Sequence, residues 1–303
     1  MRKTNILLYG AGGSGKSFSI ASLLKPSQLE KTPNLKIRFL MAETNCLYGL
    51  EEGLEFHKVI PKEGQLTFML IKPKVTQNNN SSIIRQQFEE NFMKKSDSEA
   101  MGVKSTGSDR TNITEYMQIL KSTAKFKGTD WTTKQVIDSG DVLNFDKDTV
   151  FVVDSLSTIV KYLAKVVHGA RQVTIPSDYK NVQHNLQTQI ITQFCEVMGE
   201  ASFILLAHSH LGQNPDVIQP KGAEVMAGKA EYIMKTFPNV YGQAMNGISQ
   251  AFSETIYAWK DFGGRYYWAG EKENVDTSVR KLPRKDKLVP DFSLYPIFKE
   301  ETF

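Results

Sequence analysis

NILLYGAGGSGKS, residues 5–17, is the stretch on which the reading of this chain turns. Asn5 to Tyr9 is a short apolar run, a glycine cluster follows, and Lys16 to Leu24 carries helical spacing up to Pro26. That is a strand, a loop and a helix in order. Gly10 to Ser17 fits G-x-x-x-x-G-K-[ST] at every position, in the strand-to-helix context the pattern requires. Gly10, Gly12, Gly13 and Gly15 let the backbone curl until successive N–H groups point inward at a phosphate, where a side chain would block approach or forbid the dihedrals. Ala11 and Ser14 complete the loop. The helix that opens near Gly15, with Phe18 in its first turn, adds unpaired N–H groups and a positive dipole end. Lys16 is placed to reach the β- and γ-phosphates and the Ser17 hydroxyl to ligate Mg²⁺. In average composition a chance match somewhere in such a chain has odds of roughly one in a hundred, so a mere glycine-rich turn is the weaker reading.

Outward from this loop the alternation continues. Lys36 to Glu43 (KIRFLMAE) reads as a strand, Leu47 to Lys58 as a helix and Gln65 to Ile71 as a strand. Thr149 to Val153 is the next strand, Ser157 to Val167 a helix, Asn181 to Met198 a long helix, and Ser202 to Ala207 another apolar strand. Such alternation predicts an α/β fold with a mostly parallel central sheet flanked by helices. From Glu254 onward ETIYAWK, GRYYWAG and FSLYPIF read as antiparallel strands at one edge. Between residues 74 and 148 the pattern weakens into QNNNSS and KSTGSDR around helices at Ile83–Lys94 and Ile113–Phe126. Neither helix is apolar enough to form a core alone, so the reading is one domain over 1–303 with a surface insertion at 74–148 and a β-rich extension at 254–303.

Hydrophobic residues at 40% and charged residues at 23% exclude wholesale disorder. A net charge of +4 permits a nucleic-acid partner without diagnosing one. Cys46 and Cys195 stand outside any C-x-x-C pattern, which argues against a disulfide framework and a zinc site. The first apolar run stops at Gly10, too soon for a secretory signal, and no run approaches the ~20 residues of a membrane helix. The expectation is a soluble cytoplasmic protein with no membrane partner.

Thr149-Val-Phe-Val-Val-Asp154 is a buried-type run ending in an acid. A carboxylate there can hold Mg²⁺ and its water shell opposite the phosphate loop; an Asp that only caps the next helix is the alternative. VVDSLS after such a loop resembles the RecA superfamily, and more closely the phage-encoded RecA-like ATPases of recombination and annealing systems. The likeness covers most of the chain apart from 74–148. It implies a RecA-like P-loop NTPase that binds ATP and Mg²⁺ and hydrolyses ATP in the cytoplasm of an infected bacterial host, with Lys16, Glu43, Asp154 and His208 as its catalytic group. Glu43, in MAETN, stands where these proteins keep the glutamate that activates water, and a carboxylate at a strand end beside the nucleotide suits a general base. A helix-capping glutamate is the other reading. His208, in ILLAHSH, stands at the position of a polar sensor for the γ-phosphate. A structural histidine, or a metal ligand paired with His210, are its alternatives, although no carboxylate or cysteine close in sequence completes a metal site.

The segments that hold DNA in RecA-like proteins would fall at Gly169–Asn181 and Ser209–Tyr241. Arg171 and Lys180 mark the first. Lys221, Lys229 and Lys235, among Tyr232 and Phe237, mark the second, a mixture suited to backbone charge and base stacking but diluted by Asp216, Glu224 and Glu231. Mobile active-site loops are the alternative. SVRKLPRKDK, residues 278–287, is the densest basic cluster and resembles the late segment that reaches into a neighbour's ATP site. Arg280, Lys281 and Arg284 are the candidates to act in trans, against a solvated loop. The resemblance therefore implies single-stranded DNA, further copies of the chain, and a phage single-strand-binding or annealing protein as partners. A second hypothesis is an assembly protein that uses ATP as a switch, with the insertion as its docking surface. A small-molecule kinase fits less well for want of an arginine-rich lid, and a packaging motor for want of a nuclease's clustered acids.

Overall fold

The computed structural model describes residues 3–43, 45–71, 110–168, 176–213, 215, 217–239, 248–269, 275–278 and 287–288. Its strands are β1 (Asn5–Gly10), β2 (Lys36–Met41), β3 (Leu66–Leu70), β4 (Phe126–Asp130), β5 (Val136–Gly140), β6 (Thr149–Asp154), β7 (Ser202–Gln213), β8 (Met234–Pro238), β9 (Glu254–Lys260), β10 (Tyr266–Ala269) and β11 (Lys287–Leu288). The helices that matter below are α1 (Lys16–Ile20), α2 (Asn45–Phe56), α3 (Arg110–Ala124), α4 (Leu156–His168), α5 (Pro176–Leu186) and α6 (Gly222–Met226). Across the sheet the order is β11-β10-β9-β1-β7-β6-β2-β3-β4-β5, with β8 paired to β7 beyond the sheet.

The six strands from β9 to β3 run parallel. Side chains alternate between the two faces, as strand geometry demands. Ile6 and Leu8 of β1, Val150 and Val152 of β6, and Ile204 and Leu206 of β7 pack with residues of α1 and α2. Leu7, Tyr9, Phe151, Val153, Phe203 and Leu205 pack on the opposite face with α3, α4 and α5. Burial on both faces is why these strands read as unbroken apolar runs.

The structure departs from the sequence reading in four places. Glu254–Lys260 pairs parallel to β1, and antiparallel pairing at that edge begins only with β10 and β11. The FSLYPIF stretch and the Ile83–Lys94 helix fall outside the described residues. Residues 110–148 do not lie on the surface as an insertion would: α3 seats Tyr116 and Ile119 in the core, and β4 and β5 extend the sheet antiparallel past β3. The helix read at Asn181 begins at Pro176 and widens after Leu186, where Met198 N–H bonds Gln193 O at 2.7 Å, five residues back. Finally, β7 runs on past Ala207 to Gln213 and turns back through β8, forming a two-stranded arm. Among the described residues no helix is long and apolar enough to cross a membrane.

Candidate active site

In a parallel sheet every carboxyl end opens on the same edge, the side where open α/β sheets bind ligands. Here β1 ends at Gly10, directly beside His208 of β7, and β6 ends at Asp154, directly beside Met41 of β2. Glu43 follows two residues after that strand end. The edge therefore gathers the phosphate loop, His208, Asp154 and Glu43 from four strands adjacent in the order β1-β7-β6-β2.

The loop between β1 and α1 turns on two left-handed glycines, Gly13 at φ 72° and Gly15 at φ 80°, a region that costs a side-chain-bearing residue. An added Cβ at Gly12 or Gly13 would meet nothing within 4 Å, so the loop's apex is open. Beneath it, Lys16 is buried, and its Nζ donates to Gly10 O at 3.0 Å, Ala11 O at 2.7 Å and Ser14 Oγ at 3.3 Å. Burial pulls the Lys16 pKa down, and the nearby Asp154 and Glu43 oppose that pull. Phe18 stacks on Tyr266 of β10, with ring centroids 6.0 Å apart, and so ties α1 to the edge strands.

The Ser17 hydroxyl donates to Asp154 Oδ2 at 2.5 Å. Asp154 is buried, and burial raises its pKa, while the Ser17 hydrogen bond and Lys16 work against the rise. A hydroxyl and a carboxylate side by side are hard oxygen donors of the kind Mg²⁺ takes alongside substrate phosphates and water. They fit that ion, and a divalent cation would add to the counter-charge that Lys16 gives this buried carboxylate.

Glu43 is the most heavily hydrogen-bonded acid of the edge. Its Oε1 accepts from Ser155 Oγ at 2.7 Å and from Thr158 Oγ1, and His208 Nε2 stands 3.4 Å away. The His208 contact, then the Thr158 and Ser155 hydroxyls, hold the Glu43 pKa down to about 2 against the opposing effect of burial. His210, read as a partner of His208 in a metal site, is exposed, and the described residues contain no group of three or more His, Cys, Asp or Glu able to hold a metal ion. Ser155, Ser157 and Thr158 were missed from the sequence. Their signal was present in DSLST, where hydroxyls cluster at a helix start, but that cluster reads first as capping. A cleft of about 440 Å³ opens beside Glu43, lined also by Thr158, Lys161, Tyr162, Lys165 and His208.

The DNA candidates are scattered by comparison. Lys180 is exposed on α5, within a helix and not a loop, and Arg171 lies outside the described residues. Lys221 and Lys229 are exposed on the arm beyond β7, whereas Lys235 of β8 is largely covered and stands 3.6 Å from Asp276. Arg280, Lys281 and Arg284 lie outside the described residues.

No protein-family model matches the chain, and no curated protein matches its sequence. Among solved structures it is similar to "a unique ATP synthase subunit NeqB from Nanoarcheaum equitans", at 8% identity and TM-score 0.35, covering 86% of this chain and 46% of that one. It is also similar to "a prototypical ATPase from the type III secretion system of pathogenic bacteria", at 10% identity and TM-score 0.34, covering 86% and 54% respectively. The chain thus spans about half the length of each. At such TM-scores the fold assignment rests on this chain's own strand order and phosphate loop.

Proposed function

We propose that this chain is a Mg²⁺-dependent ATPase of the phosphate-loop class, RecA-like in arrangement. One observation carries the reading: the Lys16–Ser17 pair, Glu43, Asp154 and His208, from four separate stretches of sequence, meet on one edge of the parallel sheet. The loop N–H groups and Lys16 hold the β- and γ-phosphates, and Ser17 with Asp154 holds the metal. Bound Mg²⁺ supplies charge neutralisation on the phosphate oxygens. Glu43, kept ionised, accepts a proton from the attacking water, and His208 reports the γ-phosphate to the arm that its own strand continues into. Glu43→Gln should retain ATP binding yet lower kcat by at least ~10². Wild-type turnover in that variant defeats the assignment of the base.

The proposal extends to single-stranded DNA as the partner coupled to nucleotide state, in phage recombination or replication, supported by the exposed Lys180, Lys221 and Lys229. A second reading, an assembly protein switched by ATP, is favoured by apolar residues bared on the same arm, with Ile218 at 96% and Met226 at 93% exposure. Hydrolysis measured with and without a single-stranded oligonucleotide separates them. Stimulation supports the DNA partner; an unchanged rate, with an ATP-dependent rise in mass, supports the assembly switch.

A further inference from the structure

The carboxylate of Glu43 is anchored asymmetrically. Ser155, Thr158 and His208 all address Oε1, and among the described residues none donates to Oε2. The two hydroxyls belong to one turn, at the junction of β6 and α4, immediately after Asp154. That turn is itself fixed. Ser155 is fully buried and Thr158 is 8% exposed, and the Thr158 N–H donates to Ser155 Oγ at 3.3 Å. Between them Ser157 Oγ accepts from His208 N–H at 3.0 Å and donates to Asn239 O at 3.1 Å, which locks the turn to the root of the arm. A general base needs a lone pair held in one direction, because a small misplacement of the reacting atoms costs far more in rate than in binding.

We propose that Thr158 is a positioning residue for Glu43: with Ser155 it fixes Oε1 and thereby leaves Oε2 to receive the proton of the attacking water. In that step a water O–H bond breaks, the proton passes to Oε2, the water oxygen bonds the γ-phosphorus, and the bond to the ADP oxygen breaks. Thr158 touches none of these atoms and acts only through Glu43. The inference rests on the reading of Glu43 as the base.

The test is ATP turnover against pH for wild type, Thr158→Val, Thr158→Ser and Glu43→Gln. Thr158→Val keeps the shape and deletes the donor, so kcat should fall roughly 10- to 100-fold, with KM for ATP within about twofold. The acid limb of the kcat profile should also move to higher pH, because one donor that stabilises the carboxylate is lost. Thr158→Ser restores the hydroxyl and should restore both. Should Thr158→Val lose its cooperative melt, Thr158→Ala against Thr158→Ser carries the same comparison. Wild-type kcat and pH profile in the donor-free variant, or a serine variant no better than it, overturns the inference. If Glu43→Gln turns over normally, or wild type does not hydrolyse ATP, the base assignment itself fails. A collapse of Glu43→Gln beside a normal Thr158→Val defeats the positioning role alone.

Discussion

Two carboxylates share this sheet edge, and their surroundings push them in opposite directions. Burial raises the pKa of Asp154, whereas donated hydrogen bonds hold Glu43 down to about 2. Under the proposed function such divergence separates the two roles, Asp154 as the cation's ligand and Glu43 as the ionised base. The stability consequences are also opposite. Glu43, depressed when folded, adds stability that is present above its unfolded pKa and is lost as pH falls toward about 2. Asp154, raised when folded, adds stability only at low pH and loses it as pH climbs through its folded pKa. Asp154→Asn removes a buried charge whose desolvation outweighs the help of Lys16 and Ser17, and it keeps an acceptor for the Ser17 hydroxyl. In the absence of ligand it should therefore melt higher than wild type at pH 8, by roughly 1.5 °C for each kcal/mol regained, and should lose that advantage near pH 3. The same variant should lose the stabilisation that Mg²⁺-ATP confers. Melting curves at the two pH values check this, and a ligand-free variant that melts lower at pH 8 contradicts it.

At the next scale, the position of the phosphate loop depends on how α1 meets α2. A Cβ built on Gly53 would lie 2.4 Å from Phe18 O and 2.9 Å from Ala21 Cβ, so the two helices touch backbone to backbone. Gly53→Val must push α1 away, costing about 1–3 kcal/mol of stability by overpacking. Because α1 begins with Lys16 and Ser17, ATP affinity should weaken at least ~10-fold along with the melting temperature, whereas a surface destabilisation would lower the melt alone. Calorimetric titration with Mg²⁺-ATP decides between them. The elements that build this region were legible in the sequence for a physical reason. β1, β2, β6 and β7 are buried on both faces, so each is a continuous apolar run, and the phosphate loop is a local pattern whose parts need no tertiary partner. β4 and β5 were not legible: FKGTD and VIDSG mix Lys, Gly and Asp because one side faces solvent at the sheet edge. The parallel direction of β9 beside β1 could not be read from ETIYAWK, because apolar spacing within a strand is the same for either direction. The anchoring of Glu43 could not be read either, since its partners Ser155, Thr158 and His208 stand 112, 115 and 165 residues away.

For the whole molecule, the separation of these groups along the chain means that only the folded state can assemble the proposed nucleotide site. A ligand that binds the native and not the unfolded chain stabilises by about 2.7 kcal/mol at 100 times its Kd. For a chain of 303 residues that is a rise of roughly 4 °C in melting temperature. Three conditions then dissect the site. Wild type with Mg²⁺-ATP should show the full rise. ATP with a chelator should show less, because Ser17 and Asp154 then have no cation to bind. Lys16→Ala should show almost none, since it deletes the buried charge beneath the glycine-rich loop while leaving both cores intact. The basic run at 278–287 adds a test of assembly. If it completes a neighbour's site, the melting temperature in Mg²⁺-ATP should rise with protein concentration, because association is then linked to folding, and without nucleotide it should not. Alanine at Arg280, Lys281 and Arg284 should abolish that concentration dependence and leave the nucleotide shift of the dilute protein unchanged, since the phosphate loop of each subunit is untouched. Hydrolysis should fall with it, by ~10³ or more if one of these residues stabilises the transferring phosphoryl group across the interface. A triple variant that still hydrolyses ATP at the wild-type rate, or a melting temperature that ignores protein concentration throughout, would show each subunit complete in itself and leave the run to face solvent or nucleic acid.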